Sequence, residues 1–282
     1  HRSRRREPLG CAVAASGRAA PSRICSGALG DWVEIDSHFL WFVLAGFVAQ
    51  LIDGALGMAY GVSASSLLLS FGLPPAVVSS TVHAAECFST GASAVSHKAF
   101  GNVNSALFRR LLIPGVVGAV VGAYFLASFP GETLRPFIAV YLLVMGGVII
   151  VKAFREFPPR SVSTHLVPLG FTGAFVDAVG GGGWGPIVAS TLIVRGNDVR
   201  STVGSVNAVE FFVTLAASVT FFLTIGLGNW PVIAGLALGG LIAAPIGAWA
   251  CKHVPVKPFM IGVGVLVCLL SARTLVRYFN AA

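Results

Sequence analysis

Residues 170–185 read Gly-Phe-Thr-Gly-Ala-Phe-Val-Asp-Ala-Val-Gly-Gly-Gly-Gly-Trp-Gly: an apolar arm, a lone Asp177, four consecutive glycines and an aromatic residue. At an offset of 124 positions, residues 46–61 read Gly-Phe-Val-Ala-Gln-Leu-Ile-Asp-Gly-Ala-Leu-Gly-Met-Ala-Tyr-Gly. The shift lays Asp53 on Asp177, Gly57 on Gly181 and Tyr60-Gly61 on Trp184-Gly185, then runs on through Gly72 and Gly196 to Glu86 and Glu210. Two halves therefore repeat one pattern. In each half the Glu follows the Asp by 33 positions, and all four acids lie in apolar surroundings. A carboxylate in hydrocarbon costs about 2.5–3.5 kcal/mol on insertion scales, so each of these must face a protein interior or a water-filled path.

Composition agrees. Of 282 residues 55% are hydrophobic and only 11% charged, against about a quarter charged in a soluble domain. Mean hydropathy is +0.84. The net charge of +8 does not point to nucleic acid, because Lys and Arg gather at segment ends and in the first 25 residues rather than along one face. Five cysteines include no CxxC and no zinc spacing with His, so no metal and no cofactor is expected. Residues 1–37 are a different material, with six Arg, no apolar run long enough for a signal-peptide core and His1 at the start. They are expected to be a disordered tail or a non-native start.

Beyond that tail, each half divides into two short apolar arms and three longer spans. The arms are Phe39 to Ile52 and Met58 to Phe71, then Leu166 to Val176 and Trp184 to Val194. The spans are Ala76 to His97, Ala106 to Phe129 and Leu134 to Phe154, then Val199 to Ile225, Pro231 to Ala250 and Pro258 to Tyr278. At 1.5 Å per residue an arm reaches roughly 20 Å, short of the ~30 Å hydrocarbon core. The glycines between the arms are costly in a helix, and a broken backbone is tolerated at membrane depth only against protein or a cavity. The second arm then begins with unpaired N–H groups that favour an anion.

Charge bias sets the orientation. Loops 98–110 and 152–160 are basic, as is 252–257 in the second half, which places 225–230 and the surroundings of Glu132 on the opposite side. Equivalent loops of the two halves face opposite sides. The expectation is an all-α polytopic membrane protein with an inverted internal repeat (38–160 and 161–282), each half a broken or re-entrant hairpin plus three transmembrane helices.

A polar stripe runs along the third segment: Ser79, His83, Glu86, Thr90, Ser93 and His97 recur at steps of four and three. In the second half it shortens to Asn207, Glu210 and Thr214. Gly118 and Gly122, matched by Ala243 and Gly247, have the small-xxx-small spacing of close helix contact.

The Gly-Phe-x-x-x-x-x-Asp motif followed by a glycine-rich break, present at Gly46 to Gly57 and Gly170 to Gly183, resembles the sulfite exporter TauE/SafE family over about Phe39 to Phe279. The resemblance implies a transporter of sulfur-containing anions such as sulfite and organosulfonates, usually an exporter, in the bacterial plasma membrane. It is tighter for the second motif than for the first, where Met58 and Ala59 stand in place of glycines.

The candidate substrate-binding residues are Gly57, Tyr60, Gly180, Gly181, Gly182, Gly183, Trp184 and Asn207. The candidate proton-coupling residues are Glu86, Glu210, Asp53, Asp177 and His83. Each has a plainer reading: an Asp beside a break caps the next helix, a buried His satisfies an interior partner, and Tyr60 and Trp184 pack. The expected partners are a small anion and the lipid bilayer, with no nucleic acid. Two rival classes stay open, a passive channel or cation carrier using the carboxylates, and an intramembrane enzyme using His83, Glu86 and Cys87, for which the second half supplies no equivalent His or Cys.

Overall fold

The computed structural model describes residues 37–154, 164–251, 253 and 257–281. The leading segment and most of loops 152–160 and 252–257 lie outside them. The described residues form helices and connecting turns: α1 (Ser37–Leu56), α2 (Tyr60–Ser70), α3 (Pro75–Ala99), α4 (Ser105–Ser128), α5 (Gly131–Ala153), α6 (Leu166–Gly180), α7 (Ser190–Val194, entered through a π-helical turn at Gly185–Ala189), α8 (Val199–Thr224), α9 (Trp230–Ala250) and α10 (Lys257–Ala281). Polarity is inverted relative to a soluble protein. Val95, Ile113 and Leu223 are each more than 70% exposed, whereas Asp53, Glu86, Asp177 and Glu210 are at most 4% exposed. An apolar exterior around a polar interior is what a bilayer solvates. Six helices, α1, α4, α5, α8, α9 and α10, are long and apolar enough to cross it. The 25-residue α3 matches them in length, but its polar stripe lowers its hydropathy.

One expectation needs correction. The first arm does not stop at Ile52: α1 continues through Asp53 and Gly54 to Leu56, and its 20 residues reach about 30 Å. Likewise α6 runs through Asp177 to Gly180. The breaks are therefore shorter than the glycine pattern implied, about residues 57–59 and 181–183. The reason is packing. A Cβ on Gly54 would lie 3.1 Å from the Cα of Gly247, so this glycine is where α9 approaches α1, and that contact outweighs the ~1 kcal/mol propensity cost of Gly in a helix.

The halves match in detail. Gly57 (φ 69°) and Gly181 (φ 68°) take the left-handed backbone at equivalent places, and so do Gly72 and Gly196 (both φ 92°). Helix α1 packs on α9 as its counterpart α6 packs on α4, and α5 and α10, also counterparts, pack on each other. The small-xxx-small residues do what their spacing suggests. A Cβ on Gly118 would fall on the Phe171 carbonyl oxygen of α6, and one on Gly247 would sit 3.0 Å from the Cα of Gly54 on α1.

Helices α3 and α8 cross at the centre. Thr90 Oγ1 and Thr214 Oγ1, equivalent residues, are 3.4 Å apart. On either side of them Cys87 meets Ser218 at 3.4 Å and Ser93 meets Asn207 at 2.8 Å. The numbering rises on one helix as it falls on the other, so the two run antiparallel. In the second half the feet of the hairpin are tied together, with Arg195 Nη1 donating to Thr164 O at 3.0 Å.

Candidate functional site

Each break is closed by its own aspartate. Asp53 Oδ1 accepts from Ala59 N (2.9 Å) and, more weakly, Tyr60 N (3.5 Å). Asp177 Oδ1 accepts from Gly183 N (2.7 Å) and Trp184 N (3.0 Å). A carboxylate six residues upstream thus caps each second arm, which is why the chain remains helical through the Asp and breaks after it. This also corrects the sequence reading at one point. The N–H groups expected to be unpaired and open to an anion are already engaged by carboxylate oxygens.

The two breaks interlock. A Cβ on Gly182 would lie 2.8 Å from Val62 Cα, and one on Gly61 would lie 2.7 Å from Gly182 Cα, so only glycine lets these backbones meet. Ser65 Oγ donates to Gly181 O, and Tyr141 Oη donates to Gly182 O at 2.8 Å. Neither Ser65 nor Tyr141 was singled out by the sequence. Ser65 sits in a polar run on α2 that could have drawn attention, whereas nothing in the sequence marks Tyr141.

His83 belongs to this centre through a partner from the other half. Its Nδ1 lies 2.8 Å from Ser79 O, an acceptor only, so Nδ1 carries a proton. Its Nε2 lies 3.1 Å from Asp177 Oδ2. One further proton is therefore held between ring and carboxylate. Ser79 Oγ reinforces the link by donating to Ala178 O at 2.6 Å. On the polar stripe His83 lies one turn before Glu86, yet its partner is Asp177, because α6 delivers that side chain to α3.

Glu86 instead accepts from the Gly61 amide at the start of α2. Glu210 Oε2 and Asp53 Oδ2 have no hydrogen-bond partner among the described residues. Asp53, Glu86, Asp177 and Glu210 lie within electrostatic range of one another across the two halves. Asn207, the repeat mate of His83, accepts from Ser93 Oγ and donates to Val203 O at 3.3 Å.

Tyr60 and Trp184 are at most 1% exposed. Tyr60 Oη donates to Leu236 O (3.2 Å) and Trp184 Nε1 donates to Val206 O (3.1 Å), so each pins its hairpin to a neighbouring helix. Cys87 is engaged with Ser218 and His83 with Asp177, an arrangement with no nucleophile–base pair between them. Among the described residues no group of three or more His, Cys, Asp and Glu is arranged to hold a metal ion. A separate cavity of about 510 Å³ lies to the side, between α3, α4 and α8, bounded by Val95, Lys98, Phe108, Arg109 and Phe211. The paired carboxylates are not among its walls.

Comparison with known proteins points one way. The sequence profile of the family described as sulfite exporter TauE/SafE matches residues 42–274. "Probable membrane transporter protein YtnM" of Bacillus subtilis (strain 168) is 42% identical over 250 residues, which cover 85% of this chain and 83% of that protein. "Probable membrane transporter protein ORF9" of a Sinorhizobium species is 26% identical over 248 residues, covering 84% of this chain and 93% of its own. No solved structure matches the chain significantly.

Proposed function

The chain belongs to the sulfite exporter TauE/SafE family of multi-pass plasma-membrane transporters, and on that premise we propose that it is a proton-coupled secondary transporter exporting a small sulfur-containing anion such as sulfite or an organosulfonate. The observation that carries this reading is the pair of interlocked breaks held among four buried carboxylates and one His. In this proposal the glycine backbones at 57 and 180–183, together with Asn207, are the residues assigned to the substrate. The His83–Asp177 pair holds a proton between two buried side chains. An anion can cross such a centre when protons neutralise its acids.

The repeat, 38–160 and 161–282, supplies alternating access in this proposal, with its two hairpins entering from opposite sides of the bilayer. The antiparallel crossing of the equivalent helices α3 and α8 supports it. A second reading, a passive channel or cation carrier, draws on the open oxygens of Asp53 and Glu210. Flux in proteoliposomes decides between them. The anion transporter moves sulfite, thiosulfate or a sulfonate with a dependence on the pH gradient, whereas rubidium or sodium flux with no anion response establishes the cation reading.

A further inference from the structure

His97 is wired differently from His83. The Arg200 guanidinium can only donate, and its Nε donates to Asn102 Oδ1 at 2.5 Å, which fixes the other end of that amide as NH2. Asn102 Nδ2 lies 3.0 Å from His97 Nδ1, so Nδ1 must accept and the neutral ring carries its proton on Nε2. That Nε2–H is buried and has no hydrogen-bond partner among the described residues. Its nearest polar neighbour is the Gly54 backbone, which lies outside hydrogen-bond geometry for Nε2–H. Asn102 reaches Ala248 O at 3.4 Å, next to the point where Gly54 of α1 meets Gly247 of α9.

The same face of α1 carries Gln50, one turn before Gly54, and Asp53 beside it. Gln50 is 0% and Asp53 1% exposed. Both ends of the Gln50 amide and Asp53 Oδ2 have no partner among the described residues. Helix α8 closes this face: a Cβ on Gly57 would lie 3.5 Å from Asn207 Nδ2. Asn207 in turn is held by Ser93, one turn before His97 on α3. The repeat mates of Gln50 and His97 are Ala174 and Phe221, so the set exists in one half only and the repeated architecture does not require it.

We propose that Gln50, Asp53 and His97 form a subsite for a small oxyanion bound together with one proton. The donor and acceptor pattern selects the ligand. His97 Nε2–H, its tautomer fixed by Asn102, opposes a cation, and the Asp53 carboxylate opposes a bare anion. An oxyanion sharing one proton with Asp53 Oδ2 satisfies both, while the Gln50 amide and His97 Nε2–H donate to its other oxygens. The titratable groups acting on Asp53 are Glu86 on α3, Glu210 on α8, Asp177 on α6 and Tyr60 on α2, the last already donating to Leu236 O, and His97 of α3 stands beside the next residue of α1, Gly54. Helix α9 contributes none, and Arg200 stands behind Asn102. The proposal rests on the anion-transporter reading and locates its proton linkage in the first half.

The test uses the purified full chain, titrated calorimetrically with sodium sulfite and separately with methanesulfonate over a pH series. Affinity rises as pH falls, approaching tenfold per pH unit, as uptake of one proton requires. Gln50→Ala and His97→Phe, which install the residues of the other half, each weaken binding on the order of tenfold and keep the slope. Asp53→Asn still caps α2 through Oδ1 but presents an NH2 in place of Oδ2, and it abolishes the slope. Wild-type affinity in both Gln50→Ala and His97→Phe, or an undiminished slope in Asp53→Asn, overturns the subsite. Should Asp53→Asn fail to fold, the other two variants decide. Sulfite flux in proteoliposomes with binding unresponsive to all three changes overturns this subsite and leaves the transporter reading standing. Absence of both flux and binding for either anion overturns both.

Discussion

Asp177 performs two separable tasks, and paired substitutions pull them apart. Its Oδ1 caps the second arm through Gly183 N and Trp184 N, and its Oδ2 holds a proton against His83 Nε2. Asp177→Ala removes both. Losing a helix cap costs about 0.5–2 kcal/mol, and leaving a buried ring nitrogen without a partner costs about 1–3 kcal/mol more. Together they destabilise by roughly 2–5 kcal/mol, which is about 10 °C in unfolding midpoint on the scale of soluble domains of similar size. Asp177→Asn is different. Its Oδ1 still caps the arm, and its NH2 can donate to an unprotonated Nε2 while His83 Nδ1 continues to donate to Ser79 O. What is lost is the difference between a charge-assisted and a neutral hydrogen bond, about 1 kcal/mol, together with the shared proton. The expected result is a variant nearly as stable as the parent in detergent but with a flattened pH profile of flux. Thermal unfolding followed by intrinsic fluorescence gives the first quantity and proteoliposome flux the second. Equal losses of stability in the two variants, or a stable Asp177→Ala, would refute the capping geometry. An unchanged pH profile in a stable Asp177→Asn would remove this proton from the transport cycle.

Single cysteines placed in loops 98–104 and 227–230 should react from opposite sides in labelling of intact cells, and equal reactivity would show that the repeat is parallel. Gly182→Val should abolish transport, because even a Cβ there would fall on the Val62 backbone nitrogen, whereas Gly72→Ala, with open space around its Cβ, should cost only about 1 kcal/mol of backbone strain at its positive φ; flux and unfolding midpoints for the two, measured side by side, separate close approach from turn geometry. Glu86→Gln keeps an oxygen for the Gly61 amide and should fold normally. A smaller effect on the pH profile of flux than that of Asp177→Asn is expected, since His83 pairs with Asp177, and the reverse order would make Glu86 the principal titrating acid.

What the sequence determined by itself was the kind of molecule and its repeat. Hydrocarbon penalises charge so strongly that four acids in apolar segments, spaced identically in two halves, leave few alternatives to a membrane bundle built twice. The stripe from Ser79 to His97 marked an inward face because helical periodicity is a local property, and Gly118, Gly122 and Gly247 marked close contacts because small residues at i and i+4 admit a neighbouring backbone. The capping role open to Asp53 and Asp177 was readable in the same way, since a cap spans only a few residues. Only the tertiary structure decided the rest, because it depends on which helix stands across from which. The break could not be trimmed to 57–59 without knowing that α9 needs Gly54 bare, a contact between residues 54 and 247. His83 could not be assigned to Asp177 rather than to Glu86, since the pairing joins side chains 94 positions apart. The tautomer of His97 followed from an arginine 103 positions away acting through Asn102. Hydrogen-bond direction is set by the partner's chemistry, and the partner is known only when the chain has folded.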